Sequence, residues 1–145
     1  YKSYVEELSE YLVKSVKGAD SNVSVNINIP QIELGIDTAI PLGLLINEAL
    51  TNALKYGIKG DDQGEINIEL NKLDDKEYVL NIGDNGVGFP EEVDYKNTPS
   101  LGLKLIHNLA RQLKGNIIRD FSKKGTNYII NFKEIGQSDF HQSVA

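Results

Sequence analysis

The chain has 145 residues, 40% hydrophobic and 25% charged, with a formal net charge of -6. This composition suits one ordinary globular domain with enough chain to bury a real core. It argues against a nucleic-acid surface, which needs clustered basic residues, and no stretch approaches the ~20 apolar residues of a membrane span. Cysteine is absent, so neither disulfides nor thiolate metal sites support the fold. The sequence opens at Tyr1 with no methionine and no leader-like segment, which leads to the expectation of a domain excised from a longer protein.

Tyr1, Val5, Leu8, Leu12 and Val16 recur at helical spacing with Lys and Glu between them, predicting an amphipathic helix that ends near Gly18. Val23, Val25, Ile27 and Ile29 alternate with polar residues as a half-buried strand does, and Pro30 ends the run. The longest helical pattern covers Asp37 to Tyr56. Asp37 or Thr38 is its expected N-cap, Pro41 falls in its expected first turn, and Gly57 is its expected stop. Ile58 to Gly64 reads as a polar loop. Ile66–Leu70 and Tyr78–Asp84 read as strands of one hairpin. Leu101 to Leu113 is helical, with leucines at four-residue steps. Strands Asn116–Phe121 and Thr126–Phe132 close the pattern, and 136–145 is expected to be a loose tail. Helices interleaved with paired strands predict a two-layer α/β sandwich: one mixed, mostly antiparallel sheet covered on one face by helices. Residues 1–135 are expected to form a single domain, with 1–20 as helix and connection.

Asn47–Tyr56 reads N-E-A-L-T-N-A-L-K-Y. At 3.6 residues per turn, Glu48, Asn52 and Lys55 share a face between apolar flanks. Glu48 and Asn52 offer oxygens to a hard cation, and Lys55 offers positive charge to phosphate. The same spacing also serves a plain exposed helix.

Asp84-Asn85-Gly86-Val87-Gly88 follows the third strand. Strand alternation puts Asp84 on the side of Leu80 and Ile82, aiming a carboxylate at the apolar layer. There it requires donors, and the exocyclic amine of adenine is suited to the task where guanine presents a carbonyl. Gly86 and Gly88 leave room for a flat base against the backbone. Asn85-Gly86 also favours a tight turn, so these residues alone fit either reading. Ser100-Leu101-Gly102-Leu103-Lys104 opens a helix whose N-terminus suits phosphate, or Gly102 is a packing glycine. Gly125-Thr126 is an ordinary hairpin turn unless taken with the rest.

Taken together, the four segments resemble the ATP-binding catalytic domain of sensor histidine kinases, of the GHKL ATPase superfamily. The likeness runs from about Val23 to Phe132. Asn47-Glu48-x-x-x-Asn52-Ala53-x-Lys55-Tyr56 resembles the N box, Asp84-Asn85-Gly86-Val87-Gly88 the first glycine box, Leu101-Gly102-Leu103 the second and Gly125-Thr126 the last.

The resemblance implies a Bergerat-type fold with ATP and Mg²⁺ as ligands. Asn52 would bind Mg²⁺, and Glu48 would be the acid/base or metal-side residue. Lys55 and Tyr56 would contact phosphate and ribose, and Asp84 would hold the adenine amine with Thr126 assisting through water. Gly102 and Leu103 would border the triphosphate. Asn47, Gly86 and Gly88 belong to the same boxes.

The second box has one glycine, and Glu91–Ser100 is short. Both features resemble the shorter-lidded subclass, with a more mobile lid as the expectation. The only histidines are His107 and His141. Neither matches a phosphoacceptor motif, so the acceptor is expected on a helical hairpin upstream of Tyr1. The expected setting is two-component signalling in the cytoplasm. ATP and the hairpin would be direct partners, a response regulator an indirect one, and neither nucleic acid nor membrane would be touched. A serine kinase that acts on an anti-sigma circuit and a non-catalytic ATP sensor are the alternatives. Lys55 stands where the former tends to carry histidine.

Overall fold

The computed structural model describes residues 1–59, 63–87 and 101–135, the side chains of 101–103 excepted. The elements are α1 (Lys2–Lys17), β1 (Val23–Asn28), α2 (Ile36–Asn52), a π-helical turn (Ala53–Gly57), β2 (Gly64–Lys72), β3 (Glu77–Asp84), α3 (Leu101–Gln112), β4 (Asn116–Arg119) and β5 (Asn127–Lys133). The five strands form one sheet in the order β1-β2-β3-β5-β4. β1 and β2 run parallel, and every other neighbouring pair is antiparallel. The predicted mixed sheet and both hairpins are present.

Side-chain parity divides the two faces of the sheet. In β2, Ile66, Ile68 and Leu70 are buried while Glu65, Asn67 and Glu69 are exposed. Tyr78, Leu80 and Ile82 of β3 and Tyr128, Ile130 and Phe132 of β5 point to the same layer, where they meet Leu42, Leu45, Ile46, Leu50 and Leu54. Each such aliphatic side chain contributes roughly 1.5–3 kcal/mol by leaving water. The rings of Tyr78 and Phe132, opposite each other in the register, stack at 5.5 Å. The helices lie on this apolar face, and the other face carries mostly polar residues together with Val79, Ile118 and Ile129.

α2 begins differently from the expectation. Its N-cap is Gly35, whose carbonyl accepts from the N–H groups of Thr38 and Ala39. Neither Asp37 nor Thr38 caps the helix. The Thr38 hydroxyl instead accepts the N–H of Ile135 at 2.8 Å, and Glu134 accepts the N–H of Gly35. A tertiary contact with the chain's far end has taken the side chain that local chemistry would use as a cap. With the start moved to Ile36, Pro41 lies inside the helix, past the first turn, where its missing N–H leaves the Asp37 carbonyl without its helical donor.

The far end differs too. The α-helix stops at Asn52, and the next five residues form the π turn, closed by Ile58 N–H on the Ala53 carbonyl at 2.9 Å. Helical backbone ends with Gly57, as its last residue and in π form, and Ile58 is already extended. Ile58 is a core residue and not the start of a polar loop. The strand ends shift by a few residues: β2 extends to Gly64 and Lys72, β3 begins at Glu77, β4 stops at Arg119, and β5 runs from Asn127 to Lys133.

Candidate functional site

The cleft between α2 and the sheet is lined by Ala49, Asn52, Ala53, Tyr56 and Gly57 on the helix side. Ile66, Ile82, Asp84, Thr126 and Tyr128 line it from the strands. It opens to solvent at its mouth and is lined mainly by apolar groups with a few polar ones, as small-molecule sites are.

Asp84 is the last residue of β3 and is only 4% exposed. Its parity with Leu80 and Ile82 sends the carboxyl group under α2, as the alternation predicts. Oδ1 accepts the N–H of Gly86 at 2.8 Å. The backbone of Asp84 is tied to its surroundings, with its N–H on the Thr126 carbonyl at 3.0 Å and its carbonyl accepting from the Asn127 side-chain amide at 3.3 Å. Asn85 stitches the same turn to β2: its Oδ1 accepts, and its N–H donates, across to the backbone of Glu65. Gly57 passes so close that a Cβ there would lie 2.6–2.8 Å from the carboxyl atoms of Asp84. Only glycine allows that approach.

Burial raises the Asp84 pKa above its ordinary 3.8. Hydrogen bonds from the backbone at Gly86 and Thr126, and the charge of Arg119, pull it part of the way back. A carboxylate so placed gains from each further donor that reaches it through the cleft.

The helix-borne side chains are disposed otherwise. Asn52 and Tyr56 line the cleft, Tyr56 as a rim residue 58% exposed. Asn47 and Glu48 are half-buried and stand outside the lining. The Asn47 carbonyl accepts the hydroxyl of Thr51 at 2.8 Å. Lys55 is exposed and outside the lining as well. The stripe expected from 3.6-residue spacing is interrupted because the π turn takes an extra residue per turn. Tyr56 comes over the cleft, and Lys55 is carried off the shared face. Gly86 serves through its backbone N–H and Thr126 as a buried part of the lining. Gly102 and Leu103 lie in the first turn of α3, where only the backbone is described, and Gly88 lies outside the described residues, as does the Glu91–Ser100 segment. His107 is half-buried on α3, and His141 is outside the described residues.

Arg119 was not singled out by its sequence. It is a buried arginine at the end of β4, over the ring of Phe121 at 4.7 Å and within electrostatic reach of Asp84. The signal was present as parity: Ile117 and Arg119 share the buried face of one short strand.

No cluster of three or more His, Cys, Asp or Glu side chains among the described residues makes a metal cage. Mg²⁺ keeps several waters and is held by one or two protein oxygens together with substrate phosphates, so a site for it needs no such cluster. The Asn52 amide oxygen on the cleft wall and the Glu48 carboxylate one turn before it fit that role. The glycine-flanked Asp84 at the cleft floor fits the amine edge of a purine.

Residues 37–135 match the family model described as histidine kinase-, DNA gyrase B-, and HSP90-like ATPase. The chain is 27% identical over 109 residues to blue-light-activated histidine kinase 2 of Erythrobacter litoralis, covering 75% of this chain and 31% of that protein. It is 31% identical over 111 residues to the serine-protein kinase RsbW of Listeria monocytogenes, covering 67% of this chain and 69% of that protein. Its fold matches the solved Erythrobacter litoralis EL346 blue-light activated histidine kinase with a TM-score of 0.82 at 23% identity, over 94% of this chain and 42% of that one. The mycobacterial sensor histidine kinase MprB matches with a TM-score of 0.69 at 18% identity, over 91% and 94%. The chain thus spans about a third of the length of the blue-light kinase it matches in sequence. By the match over 37–135, the chain belongs to the histidine kinase-, DNA gyrase B- and HSP90-like ATPases.

Proposed function

We propose that residues 1–135 act as one nucleotide-binding domain that takes Mg-ATP into the α2–sheet cleft. In its parent protein it passes the γ-phosphoryl group to a histidine on a separate helical hairpin, from which a response regulator is served. The observation that carries this reading is the buried carboxylate of Asp84 at the cleft floor, with Gly57 passing close to it and the Gly86 N–H donating to Oδ1. An adenine amine supplies a donor for the carboxylate, and a guanine carbonyl in the same place repels it.

Each residue has a role in this reading. Asp84 selects the base, with Thr126 assisting through water. Tyr56 covers the ribose, and Lys55 meets phosphate from the rim. Asn52 would hold the metal, with Glu48 beside it as the acid/base or metal-side residue, and the ion would neutralise phosphate charge. The backbone at Gly102 and Leu103 borders the triphosphate, and Gly88 and Asn47 complete the boxes. In the transfer a neutral imidazole nitrogen attacks the γ-phosphorus, the bond to the β–γ bridging oxygen breaks, and ADP leaves. Glu48 accepts the imidazole N–H proton. Such chemistry asks the protein mainly for positioning and charge neutralisation. No helix among the described residues is long and apolar enough to cross a membrane.

A second reading, transfer to a serine of a partner protein, is favoured by the Listeria serine kinase relative. The chain covers 69% of that relative, against 31% of the blue-light kinase. Calorimetric titration with ATP and GTP, with and without Mg²⁺, tests the shared first step. ATP binding that Asp84→Asn weakens on the order of 100-fold is expected, from loss of a charged hydrogen bond in a buried site. Equal affinity for GTP, or an unaffected mutant, would sink it. Offering a histidine-bearing hairpin from the parent protein then separates the readings: transfer supports the histidine kinase, and tight ATP binding without transfer favours the serine kinase or a sensor.

A further inference from the structure

The carbonyls that end the π turn are satisfied by three different parts of the molecule. Ala53 accepts Ile58 N–H at 2.9 Å, Gly57 accepts Val87 N–H at 3.0 Å, and Ile58 accepts the ammonium of Lys17 at 2.6 Å. The last bond joins residues 41 apart in sequence and is partly buried. Lys17 is the final residue of α1, so the helix C-terminus places a cation on a carbonyl of the site segment. Ile58 is further held by packing: it is 2% exposed, and its side chain fills the space a Cβ on Gly64 would need. Gly57 is joined to Ile58 through one planar peptide, and a Cβ on it would collide with the Asp84 carboxyl group.

We propose that Lys17 is a positioning residue for the nucleotide site. Through the Ile58 carbonyl it holds the 58–59 peptide, and together with the bonds from Ile58 N–H to Ala53 and from Val87 N–H to Gly57 it sets the Gly57–Ile58 backbone that borders the Asp84 carboxylate. Gly57 runs close on the Asp84 side: a Cβ there would lie 2.6–2.8 Å from the carboxyl atoms. A shift of the backbone at Gly57–Ile58, once its Ile58 carbonyl is released, therefore moves the carboxylate or opens a gap beside it. Lys17 lies outside the matched stretch 37–135 and outside all four boxes, so neither motif nor family model assigns it a role. The inference rests on the proposed reading of Asp84 as the adenine contact.

The test compares the wild-type domain with Lys17→Met, which keeps the apolar stem and removes the donor, and Lys17→Arg, which restores a donor. Calorimetry with ATP, ADP and adenosine is paired with thermal melts. Lys17→Met is expected to weaken all three ligands alike, on the order of 10-fold, because the displaced group reads the base and not the phosphates. Lys17→Arg should recover most of the loss. Thermal melts with adenosine absent and present show whether the folded fraction is unchanged, so that a drop in affinity cannot be unfolding. Unaltered affinity in Lys17→Met, or a loss confined to ATP and ADP, or no rescue by Lys17→Arg, would overturn the inference. Wild-type protein that binds none of the three ligands would overturn the proposed function first, a result distinct from wild-type binding that Lys17→Met leaves untouched.

Discussion

The cleft has two walls built on different terms. The strand-borne floor is fixed by backbone: Asp84, Gly86, Thr126 and Asn127 are tied to one another, and Gly57 is pressed against them. The helix-borne wall presents Asn52 and Tyr56, with Glu48 and Lys55 on the same helical segment outside the lining, and among the described residues these side chains have no hydrogen-bond or ion-pair partner. The floor is made before a ligand arrives, and the wall keeps its polar atoms available for ligand and ion. Substitutions in the floor should therefore disturb folding and binding together, while those in the wall should change chemistry and leave folding alone.

The largest effect is expected at Gly125. Its φ is +92, and a Cβ there would collide with the Asp84 carbonyl. Gly125→Ala should cost about 3 kcal/mol or more, combining backbone strain with the clash, read as a fall in the urea midpoint. Gly18 offers a control from outside the site. Its φ is +91, yet a Cβ there would meet nothing within 4 Å. Gly18→Ala should cost only the strain, ~1–2 kcal/mol. Equal losses at the two positions would show that the floor is no tighter than a surface turn.

The wall is tested next by Asn52→Ala. Stability should move by no more than ~0.5 kcal/mol, because the amide has no described partner to lose. Phosphoryl transfer should fall by about 100-fold or more, and Mg²⁺ should no longer strengthen ATP binding. A mutant that melts well below the wild type would place Asn52 with the floor and erase the contrast between the walls.

What the sequence made legible follows the same division. The floor is strand, and strand parity is strict, so the burial of Asp84 beside Leu80 and Ile82 could be read from every second letter. The wall is helix, and its expected stripe assumed 3.6 residues per turn to the end. Nothing in Ala53–Gly57 announces the π turn that moves Lys55 out and Tyr56 in. The cap of α2 was misjudged because Thr38 answers to Ile135, 97 residues away. Local preference cannot see such a partner, and the Lys17–Ile58 bond was out of sight for the same reason. Arg119 was within reach of the parity argument, but the expected strand ran on to Phe121 and drew attention from its charged residue.

The smallest expected effect separates the two demands on the floor most cleanly. Burial raises the Asp84 pKa in the folded protein above its ordinary 3.8. Between those two values the folded state holds a proton that the unfolded state has released. Stability from this group is thus full below pH 3.8 and is lost as pH rises through the folded value. Asp84→Asn has no such proton to lose. In melts of the ligand-free protein from pH 3 to pH 8, the mutant should match the wild type at the acid end and become the more stable of the two as pH climbs. A gap that stays constant with pH would mean that the carboxyl group's burial carries no titration cost. Saturating ATP should reverse the order at neutral pH, since only the wild-type carboxylate gains the adenine donor and ligand binding stabilises in proportion to affinity. A floor residue that weakens the empty domain and strengthens the loaded one is kept for the ligand, and a residue kept for packing would show the same sign in both.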